Sequence, residues 1–137
     1  MMDNTEIEEL ARQAVSLPGW RWLPGLRIVD PHGVAGFIVL AVAEAKYRVY
    51  NRAGLSPLSA EEIGACLPDL THSGVGGILL EMLKPVLHLA WFDTDHKEWC
   101  VELEPSEDLV AAIAPHLAEA CALAAVGLGG WPEAQDA

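Results

Sequence analysis

A chain of 137 residues is long enough for one domain with a hydrophobic core and too short for two. Its apolar fraction of 52% excludes intrinsic disorder as the main state. The net charge of −12 is expected to repel nucleic acids and anionic membranes. Direct nucleic-acid binding is therefore the functional class that the composition excludes most firmly.

The expected compartment follows from hydropathy and cysteine usage. The longest apolar run, residues 34–43, is about half of the roughly 20 residues that a helical membrane span requires. The first residues are acidic, unlike the basic start of a signal peptide. Cys66, Cys100 and Cys121 are widely spaced and form no Cys-x-x-Cys motif, so neither a disulfide framework nor a zinc site is indicated. We expect a protein of a reducing cytoplasm.

The negative charge is concentrated in the second half of the chain. Residues 1–68 contain 8 acids and 6 Lys or Arg, a net of −2. Residues 69–137 contain 12 acids and 2 Lys, a net of −10. Such a carboxylate-rich surface favours association with a basic partner.

The first predicted element is an amphipathic helix near the N-terminus. Thr5 with Glu8 three residues later is typical of a capping box. Apolar side chains follow at helical spacing, at Ile7, Leu10, Ala11, Ala14 and Val15. Pro18-Gly19 is expected to end the helix.

A Trp20-Arg21-Trp22 segment comes next and allows two interpretations. In extended geometry the two indoles share one face, and Arg21 points the other way. The rings can pack over the first helix, which we favour because large aromatic side chains dominate small cores. Alternatively, Trp20, Arg21 and Trp22 form an exposed platform for a partner protein, since Trp and Arg are enriched at binding hot spots.

Two short strands and a turn are predicted after this segment. Leu26–Val29 reads as a strand, and the turn residues Asp30–Gly33 follow it. Periodicity does not distinguish strand from helix over residues 34–43. We favour a strand over residues 37–42, because β-branched residues cluster there and Gly36 weakens a helix.

A third strand is predicted over Lys46–Tyr50, where charged and apolar residues alternate. Lys46, Arg48 and Arg52 gather positive charge on and after it. This basic edge can pair with the acidic second half of the chain or of another copy, although a solvated strand face is the simpler interpretation.

The middle of the chain predicts two helices separated by a glycine-rich stretch. Ser59 with Glu62 is a second capping box, and a short helix over Ala60–Cys66 follows. Residues 71–77 are rich in glycine and lead into a helix over residues 78–84. The stretch lacks the Gly-Lys-Ser/Thr ending of a phosphate-binding loop, so phosphate binding is not predicted.

The last third predicts a β-hairpin and a long helix. Val86–Phe92 is apolar on both faces, as in a central strand, and a polar turn joins it to an alternating strand over Glu98–Leu103. Residues 106–126 are expected to form one helix, capped by Ser106 and kinked by Pro115.

These elements together predict an α+β fold. We expect a single domain over residues 1–130, followed by a flexible tail over residues 131–137. In this domain a small, mainly antiparallel sheet is packed by an N-terminal, a central and a long C-terminal helix.

Three motifs resemble a family of small uncharacterised proteins encoded by tailed bacteriophages and prophages. That family has a Trp-Arg-Trp-Met-Pro-Gly segment after an N-terminal helix, which is similar to Trp20–Gly25 with Leu23 in place of Met. Leu67–Leu70 and Gly77–Leu80 match its Leu-Pro-Asp-Leu and Gly-x-Leu-Leu segments, and Glu107–Ile113 resembles its C-terminal acidic and alanine-rich helix.

The chain departs from the family pattern at several positions. Leu26 also replaces a usual Met, and His72-Ser73 stands where the family has an acid and a proline. The family has no assigned activity, so the resemblance implies only a phage-encoded accessory protein that works in a bacterial host cell.

No complete catalytic motif is present, and we predict neither catalytic residues nor a cofactor. There is no Gly-x-Ser-x-Gly nucleophile motif, and the three cysteines lie in apolar segments that make a thiol unreactive. Asp93, Asp95 and His96 share one turn and are the best candidates for a metal site, although Asp-x-Asp is also ordinary turn chemistry.

Three functional hypotheses remain. The first is a protein that binds a host protein at a basic, nucleic-acid-binding surface. Anti-CRISPR and anti-restriction proteins work in this way. The second is a phage assembly component that forms a homo-oligomer through the alanine-rich last helix, and the third is a metal-dependent hydrolase. A purely solubilising acidic surface is an equally economical explanation of the charge. The predicted partner-binding residues are Glu98, Glu102, Glu104, Glu107, Asp108, Trp20, Arg21 and Trp22.

Overall fold

The computed structural model describes residues 3–38, 47–51, 54–104 and 110–133. This part of the chain contains helices and antiparallel strands, which confirms the α+β class. The helices are α1 Asn4–Ser16, α2 Ala60–Gly64, α3 Ser73–Leu83 and α4 Leu117–Leu128, with a single 3₁₀ turn at Lys84–Val86. The strands are β1 Arg27–Val29, β2 Ala35–Ile38, β3 Tyr47–Asn51, β4 Gly54–Leu58, β5 Leu67–Pro68, β6 Leu87–Asp93, β7 Glu98–Leu103 and β8 Val110–Ala114.

Helix α1 forms as predicted but begins earlier than the sequence pattern indicated. Its N-cap is Asp3, whose carboxylate accepts a hydrogen bond from the backbone N–H of Glu6 at 2.9 Å. The capping box that we predicted at Thr5 and Glu8 is therefore wrong. Aspartate is as good a cap as threonine, and capping at Asp3 adds Asn4 and Thr5 to the helix.

Five strands form the first sheet, in the order β4-β3-β2-β1-β5. Strands β1 and β2 make a hairpin whose turn is held by Asp30, because its carboxylate accepts hydrogen bonds from the N–H groups of His32 and Val34, both at 2.8 Å. The strand predicted over residues 37–42 is confirmed at residues 37 and 38, although it begins earlier, at Ala35, and residues 39–42 lie outside the described residues. Lys46 and Arg52 of the predicted basic edge lie outside them as well.

Strands β4 and β5, which the sequence did not predict, flank this sheet. Pro57 lies in β4, which is an edge strand. Proline is tolerated there because one side of an edge strand makes no hydrogen bonds to a neighbouring strand. Strand β5 is only two residues long and pairs with β1. Both segments contain proline, which lowered their strand signal.

The capping box at Ser59 and Glu62 is confirmed, whereas α3 begins five residues before the predicted helix. The glycine-rich stretch is part of α3. A methyl group added at Gly76 would lie 2.8 Å from Cβ of Leu117, so glycine is required for α3 and α4 to pack this closely. Gly76 therefore serves helix packing, a role that local sequence rules do not reveal.

The second sheet has the order β6-β7-β8 and corrects two predictions. Strand β6 is an edge strand, although its apolar sequence predicted a central one. Residues 110–114 form β8, so the predicted continuous helix over residues 106–126 is wrong. Pro115 lies between β8 and α4, where it does not interrupt a helix. Val110–Ile113, which resembles a helix of the phage family, pairs with β7 instead.

Helix α4 is the centre of the core. Six of its small side chains are buried, at Ala118, Ala120, Cys121, Ala122, Ala124 and Ala125. It packs against α1, against α3 and against the inner side of β7 and β8. Small residues make α4 thin, so three neighbouring layers approach it at once.

Trp131 closes the core and does not belong to a loose tail, as we had expected. Its side chain is 4% exposed, and its indole N–H donates to the backbone carbonyl of Ala14 at 2.9 Å. Its own N–H donates to the carbonyl of Pro18 at 2.8 Å. Residues 134–137 of the predicted tail lie outside the described residues.

We predict that Trp131→Ala lowers the free energy of unfolding by about 3–5 kcal/mol, because it removes a buried aromatic side chain. Trp131→Phe keeps most of the packing but removes the indole donor to the Ala14 carbonyl, which still accepts from the N–H of Leu17 at 3.4 Å, and should cost about 1 kcal/mol. Urea denaturation followed by circular dichroism measures both. A loss below about 1 kcal/mol for Trp131→Ala would show that the residue is not part of the core.

Glu119 is a buried acid within α4. It is 1% exposed, and its Oε1 lies 3.4 Å from Nε2 of His116 but accepts no hydrogen bond within the described part of the chain. Burial raises the pKa of the Glu119 carboxyl, and the nearby His116 opposes this effect. Between the unfolded and the folded pKa of Glu119, the folded state therefore retains a proton that the unfolded state has released.

This proton makes stability depend on pH in a defined direction. The contribution of Glu119 to the free energy of unfolding should fall as pH rises from about 4.5, the ordinary glutamate pKa, through the higher folded pKa. We expect Glu119→Gln to be more stable than the parent at pH 8 and equal to it below pH 4.5. Urea denaturation across this range is the measurement, and a variant less stable than the parent at pH 8 would contradict the sign.

Candidate functional site

The tryptophan segment contributes mainly to the core. Trp20 and Trp22 are half-buried against the core, and their ring centroids lie 5.2 Å apart in an edge-to-face arrangement. Trp20 also contacts Trp131, with ring centroids 5.4 Å apart. The packing interpretation therefore describes these two indoles, and Trp22 lies beside the core rather than on an open platform.

The two faces of the β6-β7-β8 sheet differ sharply in burial. Residues directly opposite one another in an antiparallel pair point to the same face. The register therefore places the buried side chains of Val101, Leu103 and Ala112 on an inner face that packs against α4. The alternate residues point to the opposite side, which we call the outer face: Leu89, Trp91, Asp93, Glu98, Cys100, Glu102, Ala111 and Ile113.

An apolar stripe crosses the outer face. Leu89, Trp91 and Ile113 are 47%, 43% and 60% exposed, so the described part of the chain places no second layer over them. Trp91 and Ile113 lie opposite Cys100 on its two sides, and Cys100 is buried beneath them. A shallow depression of about 300 Å³ lies along this stripe and reaches the hairpin turn at Asp93 and His96.

Carboxylates border the stripe. Glu98 and Glu102 are half-buried on the outer face, and neither has an ion pair with Lys, Arg or His among the described residues. Glu104 follows β7 and lies 3.4 Å from His88, also on the hairpin. Such carboxylates beside exposed apolar groups create a negatively charged surface with an apolar patch, which is typical of a protein interaction site.

The remaining predicted carboxylates are not all part of this surface. Glu107 and Asp108 lie outside the described residues. Glu119 is turned into the core, and the acids of α1 lie on a different element. The structure thus brings together Glu98 and Glu102 on one face with Glu104 nearby, a smaller group than the sequence predicted.

The turn between β6 and β7 is held by Asp93. Its carboxylate accepts hydrogen bonds from the N–H groups of Asp95 at 3.0 Å and His96 at 3.2 Å, and Nδ1 of His96 lies 2.7 Å from its other oxygen. The side-chain hydrogen bond with His96 lowers the pKa of Asp93 and, in the same contact, raises the pKa of His96.

These bonds leave Asp93 engaged in turn formation rather than free as a metal ligand. Across the described ranges, no three His, Cys, Asp or Glu side chains are grouped as ligands for a metal ion. The candidate set of Asp93, Asp95 and His96 therefore finds no support, and the hydrolase hypothesis loses the geometry on which it depended.

The cysteines are poor nucleophiles. Burial raises the pKa of Cys121 to about 12. Burial also raises the pKa of Cys66 and of Cys100, with smaller effects from nearby carboxylates. At neutral pH all three are thiols and not thiolates, so nucleophilic catalysis by cysteine is not indicated.

A cavity of about 900 Å³ lies between α1, the β1–β2 turn and β5. Its charged side chains are engaged within the chain: Arg12 pairs with Glu8 at 3.0 Å, Asp69 pairs with Arg27 at 3.1 Å, and Asp30 accepts hydrogen bonds from backbone N–H groups of its own turn. Asp69 also accepts a hydrogen bond from the hydroxyl of Thr71 at 2.6 Å. Because these side chains satisfy one another, the cavity offers few free polar groups to a ligand.

No protein-family model, curated protein or solved structure matches this chain. None of the described helices is long and apolar enough to cross a membrane. The resemblance to the phage family remains an expectation, and the outer face is the strongest candidate functional site on geometric grounds.

The hairpin turn provides a test of the local electrostatics. We predict that the pKa of His96, followed by NMR titration, lies above its ordinary value of 6.5 and moves toward that value in Asp93→Asn. A raised histidine pKa stabilises the fold below pH 6.5, and this contribution is lost as pH rises through the folded value. An unchanged pKa in Asp93→Asn would show that the two side chains do not interact in solution.

Proposed function

We propose that this protein acts by binding another protein through the outer face of the β6-β7-β8 sheet. The observation that carries the proposal is the exposed stripe of Leu89, Trp91 and Ile113 beside Glu98 and Glu102, which have no ion pair among the described residues. Exposed tryptophan in an apolar patch with a charged border is typical of binding hot spots. A surface that served only solubility would not need the apolar side chains.

The chemistry of the face selects its partner. Glu98 and Glu102, which have no ion pair among the described residues, attract a basic surface. The apolar stripe requires an apolar contact at the centre of the interface. A host protein whose basic surface normally binds nucleic acid has this charge. We propose that this chain is a phage-encoded accessory protein that inhibits such a host protein, as anti-CRISPR and anti-restriction proteins do.

A homo-oligomer is less well supported. The alanine-rich helix α4, through which we expected copies to associate, is buried inside the domain and offers little surface. Two copies joined face to face through the outer face would place Glu98 and Glu102 of each copy against the same acids of the other. Such like-charge contacts oppose association.

We predict that Trp91→Ser lowers the affinity for the captured partner by at least about 30-fold, the loss expected when a hot-spot residue worth roughly 2 kcal/mol is removed. Glu98→Gln combined with Glu102→Gln should weaken binding and reduce its dependence on salt. Capture from bacterial lysate, at low salt and at about 0.5 M salt, provides the partner whose affinity is then measured by calorimetry.

Tyr50→Ser is the matched control, because Tyr50 is 56% exposed on β3 of the other sheet. It should leave the affinity unchanged. If Tyr50→Ser and Trp91→Ser have equal effects, or if the captured proteins carry no basic surface, the proposed function is wrong.

A further inference from the structure

The geometry of β6 extends the proposed function, on which this inference rests, to the form of the partner. We infer that the free edge of β6 receives an extended, basic segment of the partner protein, which adds to the sheet as a fourth strand. The interaction would then combine backbone hydrogen bonds along β6 with side-chain contacts on the neighbouring outer face.

Strand β6 has an open edge. In the described part of the chain it pairs only with β7, so the hydrogen-bonding groups on its other side have no strand partner. Natural sheets usually protect such an edge with lysine, proline or a very short strand. Strand β6 is 7 residues long and contains neither lysine nor proline.

The strand has one irregularity, which lies at one end. A bulge between Leu87 and Leu89 interrupts the register with β7, and pairing is then continuous from Leu89 to Asp93. A bulge commonly ends or redirects pairing at an edge. The five residues from Leu89 to Asp93 remain as a regular template, close to the length of an average strand.

Side chains on both sides of β6 are unusually exposed. Leu89 and Trp91 point to the outer face, and Phe92 points to the inner face but is still 42% exposed. Phe92 packs on Trp99, with ring centroids 5.3 Å apart, and this contact leaves much of its side chain exposed. An added strand would cover both sides at once, whereas a partner that lay only on the outer face would leave Phe92 exposed.

The charge around this edge favours a basic segment over a second copy of the chain. Asp93, Glu98 and Glu102 lie on the same side of the sheet, and Lys97 in the turn is the only lysine or arginine of the hairpin. A second copy would bring another −12 of net charge and no lysine or arginine within its own β6. A segment in which basic and apolar residues alternate can place its basic side chains over these acids, with their aliphatic stems against Leu89 and Trp91, and its apolar side chains beside Phe92 on the inner face.

The test uses a defined probe, the heptapeptide acetyl-Lys-Val-Lys-Val-Lys-Val-Lys-amide. A second probe has the same side chains with alternate backbone nitrogens methylated, which removes strand hydrogen bonds and keeps charge. A third replaces each Lys by Glu. We expect the first to bind the full chain, and the methylated and acidic probes to bind at least tenfold more weakly by calorimetry. Binding should also slow amide hydrogen exchange at Leu89–Asp93.

Variants of the chain locate the bound peptide. Leu89→Ser and Trp91→Ser should weaken binding of the basic peptide, because these side chains lie at the edge that receives it. Ile113→Ser separates edge binding from face binding, since a strand added beside β6 lies roughly 14 Å from β8 at about 4.8 Å per strand, and Tyr50→Ser on the other sheet is the matched control. All four side chains are exposed, so their substitution should leave the fold intact.

Other outcomes separate this inference from the proposed function. Equal binding of the methylated peptide, with equal losses from Trp91→Ser and Ile113→Ser, would show contact with the outer face alone and overturn strand addition. Failure of the basic peptide to bind at about 1 mM also overturns it, while partner capture that depends on Trp91 would still uphold the proposed function. A stable dimer by light scattering that Trp91→Ser dissociates would assign the edge to a second copy and overturn the basic occupant.

Discussion

The packing around helix α4 is the constraint on which the rest of the structure depends. Helix α1, helix α3 and the β6-β7-β8 sheet all contact α4, and its small side chains let them approach closely. Gly76 of α3 shows how tight this packing is, because an added methyl group would meet Leu117. The apolar surfaces of α1 and α3 therefore pack against α4, and this packing takes place on one side of the β6-β7-β8 sheet.

The exposed outer face follows from this arrangement. A three-stranded sheet with helices on one side only leaves its other side to solvent, and in most proteins that side is polar. Here it carries Leu89, Trp91 and Ile113 with carboxylates beside them. The open edge of β6 lies next to the same side chains, so backbone and side-chain binding groups occur together. This coincidence supports the proposed function and the strand-addition inference.

Local signals in the sequence predicted most elements whose chemistry is local. The capping box at Ser59, the turn at Asp30 and the alternation of Glu98–Leu103 each report interactions within a few residues, and all three are found. The same alternation places Glu98 and Glu102 on one face of the strand, as the structure has them. Alternation assigns side chains to faces without knowledge of the fold.

Errors arose where distant contacts decide the structure. Residues 110–114 have helix-favouring alanines but pair with β7, because that pairing buries Ala112 and Ala114 against α4. Strand β6 reads as central since apolar residues occupy both of its faces, and no local signal reveals that one edge has no neighbouring strand in the described part of the chain. Trp131 looked like part of a tail because its partner, Ala14, lies 117 residues away.

The bond between Trp131 and Ala14 has a consequence for biosynthesis. Translation proceeds from the N-terminus, so α1 leaves the ribosome long before the indole that covers it has been made. During that interval the apolar side of α1 lacks its final contact and is available to chaperones. Because Ala14 and Trp131 lie so far apart in the sequence, bringing α1 against the C-terminal segment has a large loop-closure entropy cost.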